Sequence, residues 1–276
     1  MVNISASDVK KLREMTGAGM MDCKKALTEA EGDFDKAVEI LRKKGQKLSA
    51  KRADREAREG VVLALVSEDR TRGVIVRLSC ETDFVAKNED FVKLTRQIAE
   101  IALQNGPQSL EELKGLTFNG ITVQDRVLEE VAKIGEKIEL SAYEWLKAEM
   151  VCPYIHMGNR AGVLVGLNKA DERFYEPGRS VAMQIAAMRP IALDKDDVDP
   201  AIVEKEIEIG KEQARQEGKP EAILEKIAMG KLKKFFQENT LLNQQFVKDG
   251  SMTVRDYLKS LDPELTVTGF RHVELG

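Results

Sequence analysis

Cys152 and His156, four residues apart, are the pair in this sequence whose types could hold a metal ion or form a thiol–imidazole nucleophile. No second ligand pair accompanies them, and a zinc site takes about four ligands. The plainer reading is a buried thiol beside a partly exposed imidazole. The remaining cysteines are Cys23 and Cys80, and the other histidine is His272. Apart from that pair, neither histidine lies near an obvious nucleophile in sequence, so a catalytic triad is unsupported. No Gly-x-x-x-x-Gly-Lys-Ser/Thr phosphate loop, dinucleotide glycine fingerprint or Gly-x-Ser-x-Gly elbow occurs. The inventory favours a protein that works by binding another protein over one that makes and breaks bonds.

Two stretches have the character of contact surfaces. Met20-Met21 follows the break Gly17-Ala18-Gly19. Flexible thioethers adapt to a partner, and equally fill a core. Cys80-Glu81-Thr82-Asp83-Phe84-Val85-Ala86-Lys87-Asn88 lies where a strand gives way to a helix, a place where function often sits. Two readings of Phe84 stay open. It continues the even-numbered apolar face of Val74, Val76, Leu78 and Cys80, which suits a core residue, or it stands out at the junction for a partner. The basic run Lys43 to Arg58 has no interleaved aromatics for base stacking. It reads as a solvated linker or helix face.

Composition narrows the class. The chain has 276 residues, a formal net charge of −4 and 5% aromatics. Near-balanced charge argues against a nucleic-acid coat or a polybasic membrane anchor. No apolar run approaches a membrane span. Met1-Val2-Asn3-Ile4-Ser5 shows no charged n-region or apolar h-region, so no signal peptide is expected. Three widely spaced cysteines suit a reducing compartment, the cytoplasm.

The elements that must carry these stretches follow from periodicity. Three short helices are predicted to about residue 45: Ser7 caps the first, which carries Val9 and Leu12. Cys23, Ala26, Leu27 and Ala30 share a face of the second. Asp33 caps the third, with Phe34, Ala37, Val38 and Leu41 on one face and Gly45 at its end. Val61–Val66 and Gly73–Cys80 flank a polar Ser67–Arg72 stretch, a hairpin signature. Asn88 caps a helix bearing Phe91, Thr95, Ile98 and Ala102. A helix over Val123–Ile134 and a strand near Lys137–Trp145 follow. A second, similar unit is expected from Ala161, with a helix over Gly178–Met188. Asp199-Pro200 and Gly218-Lys219-Pro220 open two polar helices whose narrow stripe (Val203, Ile207, Gly210, Ala214; Leu224, Ile227, Leu232) predicts a projecting, coiled-coil-like hairpin. Leu265–Leu275 closes the chain as a strand.

Thr16-Gly17-Ala18-Gly19-Met20-Met21-Asp22-Cys23-Lys24-Lys25-Ala26-Leu27 resembles the N-terminal signature of the bacterial elongation factor Ts family. Cys80–Asn88, Tyr154-Ile155-His156-Met157-Gly158-Asn159-Arg160-Ala161-Gly162-Val163-Leu164 and the ending Val267-Thr268-Gly269-Phe270 are similar to it as well, in order and in spacing. The resemblance implies an α+β fold. It places a three-helix, ubiquitin-associated-like bundle over 1–45, a basic linker over 46–59, core subdomains over 60–150 and 151–276, and a helical hairpin at about 199–236. It implies a guanine-nucleotide exchange factor for the translational GTPase elongation factor Tu: not an enzyme, with no cofactor or metal, no direct nucleic-acid contact and no membrane. Thr82, Asp83, Phe84 and Val85 resemble the segment that enters the GTPase near its magnesium site. Arg13, Met20 and Met21 resemble contacts to a GTPase helix; His156 matches a contact in the core, and Phe246 and Val247 a further contact region. Some members carry another helix after the last strand, and this sequence supplies none after Gly276. The helical hairpin could join two copies of the chain. The competing reading is a ubiquitin-associated-type adaptor without exchange activity, and the weakest is a metal or thiol enzyme built on Cys152 and His156.

Overall fold

The computed structural model describes residues 4–276. The first three residues, read above for a signal peptide and as the start of the 1–45 segment, lie outside them. Helices α1 (Ala6–Thr16), α2 (Met20–Glu29) and α3 (Phe34–Lys51) close a small core of Val9, Leu12, Cys23, Ala26, Leu27, Ala37 and Leu41. The cap of α1 is Ser5, not Ser7. Asp8 stands three residues after Ser5 and returns the bond, so a reciprocal capping box forms there.

Gly45 does not end α3. The helix runs on to Lys51 because Gly45 is where α3 crosses a helix of the body: a Cβ there would lie 2.5 Å from the carbonyl oxygen of Leu128. The glycine serves a close approach, and the chain expected to be linker from residue 46 is helical for its first six positions.

Strands β1 (Glu59–Val66) and β2 (Arg72–Cys80) form the expected hairpin. Then come α4 (Asp83–Ala86), α5 (Glu89–Asn105), α6 (Leu110–Gly115), the small hairpin β3 (Thr117–Phe118) and β4 (Ile121–Thr122), α7 (Val123–Ile134) and β5 (Ile138–Lys147). The second half repeats the order: β6 (Met150–His156) and β7 (Ala161–Leu167) form a hairpin, followed by α8 (Tyr175–Met188), α9 (Pro200–Gln216) and α10 (Glu221–Asn239). The hairpin β8 (Gln245–Phe246) and β9 (Asp249–Thr253), helix α11 (Val254–Leu261) and strand β10 (Val267–Glu274) complete it. The second unit therefore begins at β6, earlier than Ala161.

Both main sheets are antiparallel and three-stranded, ordered β1-β2-β5 and β10-β7-β6. They pack face to face through Val62, Ala64, Ile75, Leu146, Val151 and Leu164. Gly73 lets them meet, since a Cβ there would lie 2.8 Å from side-chain carbons of Leu164 and Val151. Helices α5 and α7 cover the outer face of the first sheet, and α8 that of the second. Strands covered on both faces read as continuous apolar runs, which is why Val61–Val66 lacks alternation. Helices α9 and α10 pack on each other through Gly210, Ala214, Leu224, Ala228 and Leu232. Among the described residues, no helix is long and apolar enough to cross a membrane.

Candidate functional site

Strand β2 ends buried. Leu78 and Cys80 are fully covered, and the Cys80 thiol donates to the Thr82 carbonyl at 3.2 Å. The chain then leaves the sheet for the single turn α4. Because successive helical residues are rotated by about 100°, the two-residue alternation stops at Cys80. Val85 and Ala86 now pack against the core, and Phe84 is 84% exposed. Of its two sequence readings, the core one fails for this reason.

The turn is held from outside. Thr82 occupies the N-cap position, yet its hydroxyl caps nothing. It donates instead to Glu136 Oε1 at 2.7 Å, while the Thr82 amide donates to Glu136 Oε2 at 3.1 Å. Glu136 lies between α7 and β5. On the solvent side Lys87 pairs with Asp83 at 2.6 Å, and that hydrogen bond holds the Asp83 carboxyl below its ordinary range. Asn88 starts α5 by accepting from the Asp90 amide at 2.8 Å.

Glu81 joins this turn to the N-terminal helices. Its carboxylate accepts from Arg52 at 2.7 Å, Arg55 at 2.9 Å and the Lys137 amide at 2.5 Å. Partial burial alone would raise its pKa. The Lys137 amide and the two guanidinium groups outweigh that and bring it down to about 2. Lys137 Nζ in turn donates to the carbonyls of Ala53 and Arg55 at 2.7 and 3.0 Å. Part of the basic run is thus a brace against the site, not a free linker. The N-terminal helices are tied further by Arg42 to Glu129 at 3.0 Å, across α3 and α7.

The other candidates occupy three separate places. Arg13, Met20 and Met21 lie exposed on α1 and α2, with the methionines 47% and 66% exposed, so the core reading of Met20-Met21 fails. Met15 is exposed as well, but two residues from Arg13 it faces the other side of α1. His156 ends β6, with Nδ1 3.1 Å from the Tyr154 hydroxyl. Phe246 and Val247 part company. Phe246 is buried and stacks on Tyr257 at 4.1 Å between ring centroids, so its side chain is not on the contact surface expected of it. Val247 is half-exposed in the β8–β9 turn, its amide donating to the buried Gln184 at 2.7 Å.

Cys152 and His156 share strand β6, where four residues span about 13 Å. The Cys152 thiol is buried, which pushes its pKa up to about 12. Among the described residues, no group of three or more His, Cys, Asp or Glu side chains is placed to hold a metal ion. Glu81 and Glu136, the carboxylates that shape the turn, were not singled out by sequence. Glu81 stood inside a motif already noted, but Glu136 meets Thr82 across 54 residues and no local pattern marks it.

Residues 81–276 match the family model described as Elongation factor TS. The elongation factor Ts of Amoebophilus asiaticus is 56% identical over 274 residues, 99% of each chain. That of Christiangramia forsetii is 53% identical over the full length of both chains. That of Chloroherpeton thalassium is 46% identical, covering 97% of this chain and 95% of its own.

Proposed function

We propose, since this chain belongs to the elongation factor Ts family and is a factor of translation elongation, that it is a guanine-nucleotide exchange factor for elongation factor Tu. It acts in the cytoplasm by protein binding, without bond chemistry of its own. The observation that carries the reading is Phe84: a large apolar ring left 84% in water on a turn anchored from behind. Exposing such a ring is unfavourable by about 2 kcal/mol relative to burying it, and an apolar pocket on a partner would recover that.

A GTPase holds its nucleotide partly through magnesium, which bridges phosphate oxygens and protein ligands. A factor that binds the nucleotide-free form more tightly than the loaded form must weaken nucleotide binding by the same factor, because the coupling is reciprocal. In this reading Thr82–Val85 enters beside the magnesium site. Phe84 fills a pocket that exists in the opened form, and Asp83 perturbs the groups around the ion. The N-terminal helices serve as a ubiquitin-associated-like docking module through Arg13, Met20 and Met21; His156 adds a contact from the second sheet and Val247 one from the β8–β9 turn. The test is release of fluorescent GDP from loaded elongation factor Tu on addition of this protein. Accelerated release supports the reading. A rate equal to spontaneous loss at saturating protein defeats it and leaves the adaptor.

A further inference from the structure

We propose that Glu136 is a positioning residue: it holds the Asp83–Ala86 turn so that Phe84 stands out in solvent before any partner arrives. This rests on the exchange reading of Phe84 given above.

A four-residue turn does not hold itself, since helix nucleation is unfavourable and short helices are marginal in water. The usual local remedy is available here, because Thr82 sits at the N-cap and threonine there normally accepts from an amide two or three residues on. The structure does not use it. Both donors of Thr82, hydroxyl and amide, go to the two oxygens of one carboxylate 54 residues away in sequence. Two bonds to one carboxylate fix direction as well as distance, and bonds to an ionised acceptor are stronger than neutral ones.

A cap would use the hydroxyl as acceptor and Glu136 uses it as donor, and in the orientation that reaches Glu136 the hydroxyl makes no cap bond. Without Glu136 the hydroxyl loses its acceptor, and the turn is left to the packing of Val85 and Ala86, the Asp83–Lys87 pair and the Cys80–Thr82 bond, which do not fix its N-terminal end from outside. An apolar ring that is 84% exposed then has every reason to settle on the protein surface. Glu136 lies immediately after Gly135, the left-handed cap of α7, and two residues before β5. Its backbone is a short bend tied to α7 on one side and β5 on the other, and the turn is anchored to that bend. Preorganisation of this kind removes an ordering cost that the complex would otherwise bear.

The experiment uses full-length Glu136→Ala, Glu136→Gln and Thr82→Val, each alone and with Phe84→Ala. GDP release from elongation factor Tu is read as a function of factor concentration. Glu136→Ala should lower the maximal rate by about tenfold or more, the scale of misplaced reacting groups. Glu136→Gln, which keeps one acceptor oxygen, and Thr82→Val, which keeps the amide bond, should fall in between. In the Phe84→Ala background Glu136→Ala should change nothing further, because it acts through that ring. In the free proteins, amide hydrogen exchange at Phe84, Val85 and Ala86 should speed up in Glu136→Ala while the urea midpoint stays near wild type. An unchanged maximal rate, or an equal loss with and without Phe84, overturns the proposal. Should Glu136→Ala fail to fold, Thr82→Val carries the same comparisons. If the wild type itself releases no GDP, the exchange reading falls, and unaltered exchange of the three amides in the free variants would sink the positioning role separately.

Discussion

Phe84→Ala should leave the fold almost as stable as wild type while slowing nucleotide release, and the two halves of that expectation come from different physics. Roughly a sixth of the ring is covered in the free protein, given its 84% exposure. A phenylalanine side chain offers about 200 Å² to bury, so about 30 Å² is at stake, or about 0.8 kcal/mol at about 25 cal/mol per Å². Alanine returns about half a kcal/mol through its higher helix propensity. The net cost should lie within about 0.5 kcal/mol, against about 3–5 kcal/mol for truncating a buried phenylalanine. Urea unfolding reads this half. Stopped-flow release of fluorescent GDP reads the other, and the maximal rate should drop steeply because the contact proposed for the opened complex is gone. A midpoint shift worth more than about 2 kcal/mol would show that Phe84 packs in a way the geometry denies. Normal stability with a wild-type release rate would refute the wedge.

Other expectations follow from the same contacts. Gly45→Ala replaces a poor helix former by the best one, a gain of about 1 kcal/mol in an open helix. Here the new Cβ would meet the Leu128 carbonyl at 2.5 Å, so a net loss of about 1–3 kcal/mol is expected, and a raised urea midpoint would show that α3 and α7 yield freely. Glu81 has its folded pKa lowered to about 2 from an ordinary 4.5. Its contribution to stability is full above about pH 4.5 and is lost as pH falls through the folded value. The stability gap between wild type and Glu81→Gln should therefore close between pH 5 and pH 2, and a gap constant across that range would mean the clamp does not depend on the charge. Replacing the outer halves of α9 and α10, which expose Ile209 and Ile223, with a short Gly-Ser link should preserve the fold. A mass by light scattering that falls to the monomer would show self-association through the hairpin, and an unchanged mass removes it.

Much of the architecture was legible because helix faces and caps are local. The stripes of α2 and α5 and the cap at Asn88 are each written within a dozen residues, and the β1–β2 hairpin lies between Glu59 and Cys80. What was not legible depended on contacts between distant segments. Gly45 looks like a helix stop by type, and only the approach of α7 shows that its missing side chain serves packing. Strand β6 contains Pro153, which argues against a central strand. It is tolerated because β6 lies at the edge of its sheet, and edge position is a property of the assembled order β10-β7-β6. Phe84 and Phe246 were both read from motif position, and burial separates them: one is held in water, the other stacked under Tyr257.

The brace on the site follows from how these sheets are built. In each, the middle strand runs antiparallel to the third, so the end of one lies beside the start of the other: Cys80 pairs with Ile138, and Leu167 with Val267. The junction leaving the middle strand must therefore sit against the loop entering the third. In the first sheet that contact is Thr82 on Glu136. In the second, Asn168 bonds the Glu264 carbonyl and the Thr266 amide at 2.8 and 2.9 Å, and Lys169 reaches Asp262 at 2.7 Å. The two junctions then diverge at one aromatic. After the second, the short turn at Glu172–Phe174 sends Phe174 into the core, 1% exposed; after the first, α4 turns Phe84 outward. The same register that locks a junction in place leaves the direction of the next ring to the few residues between strand and helix. In the first half those residues keep an apolar ring in solvent on a fixed mount, which is what a partner-opening wedge requires.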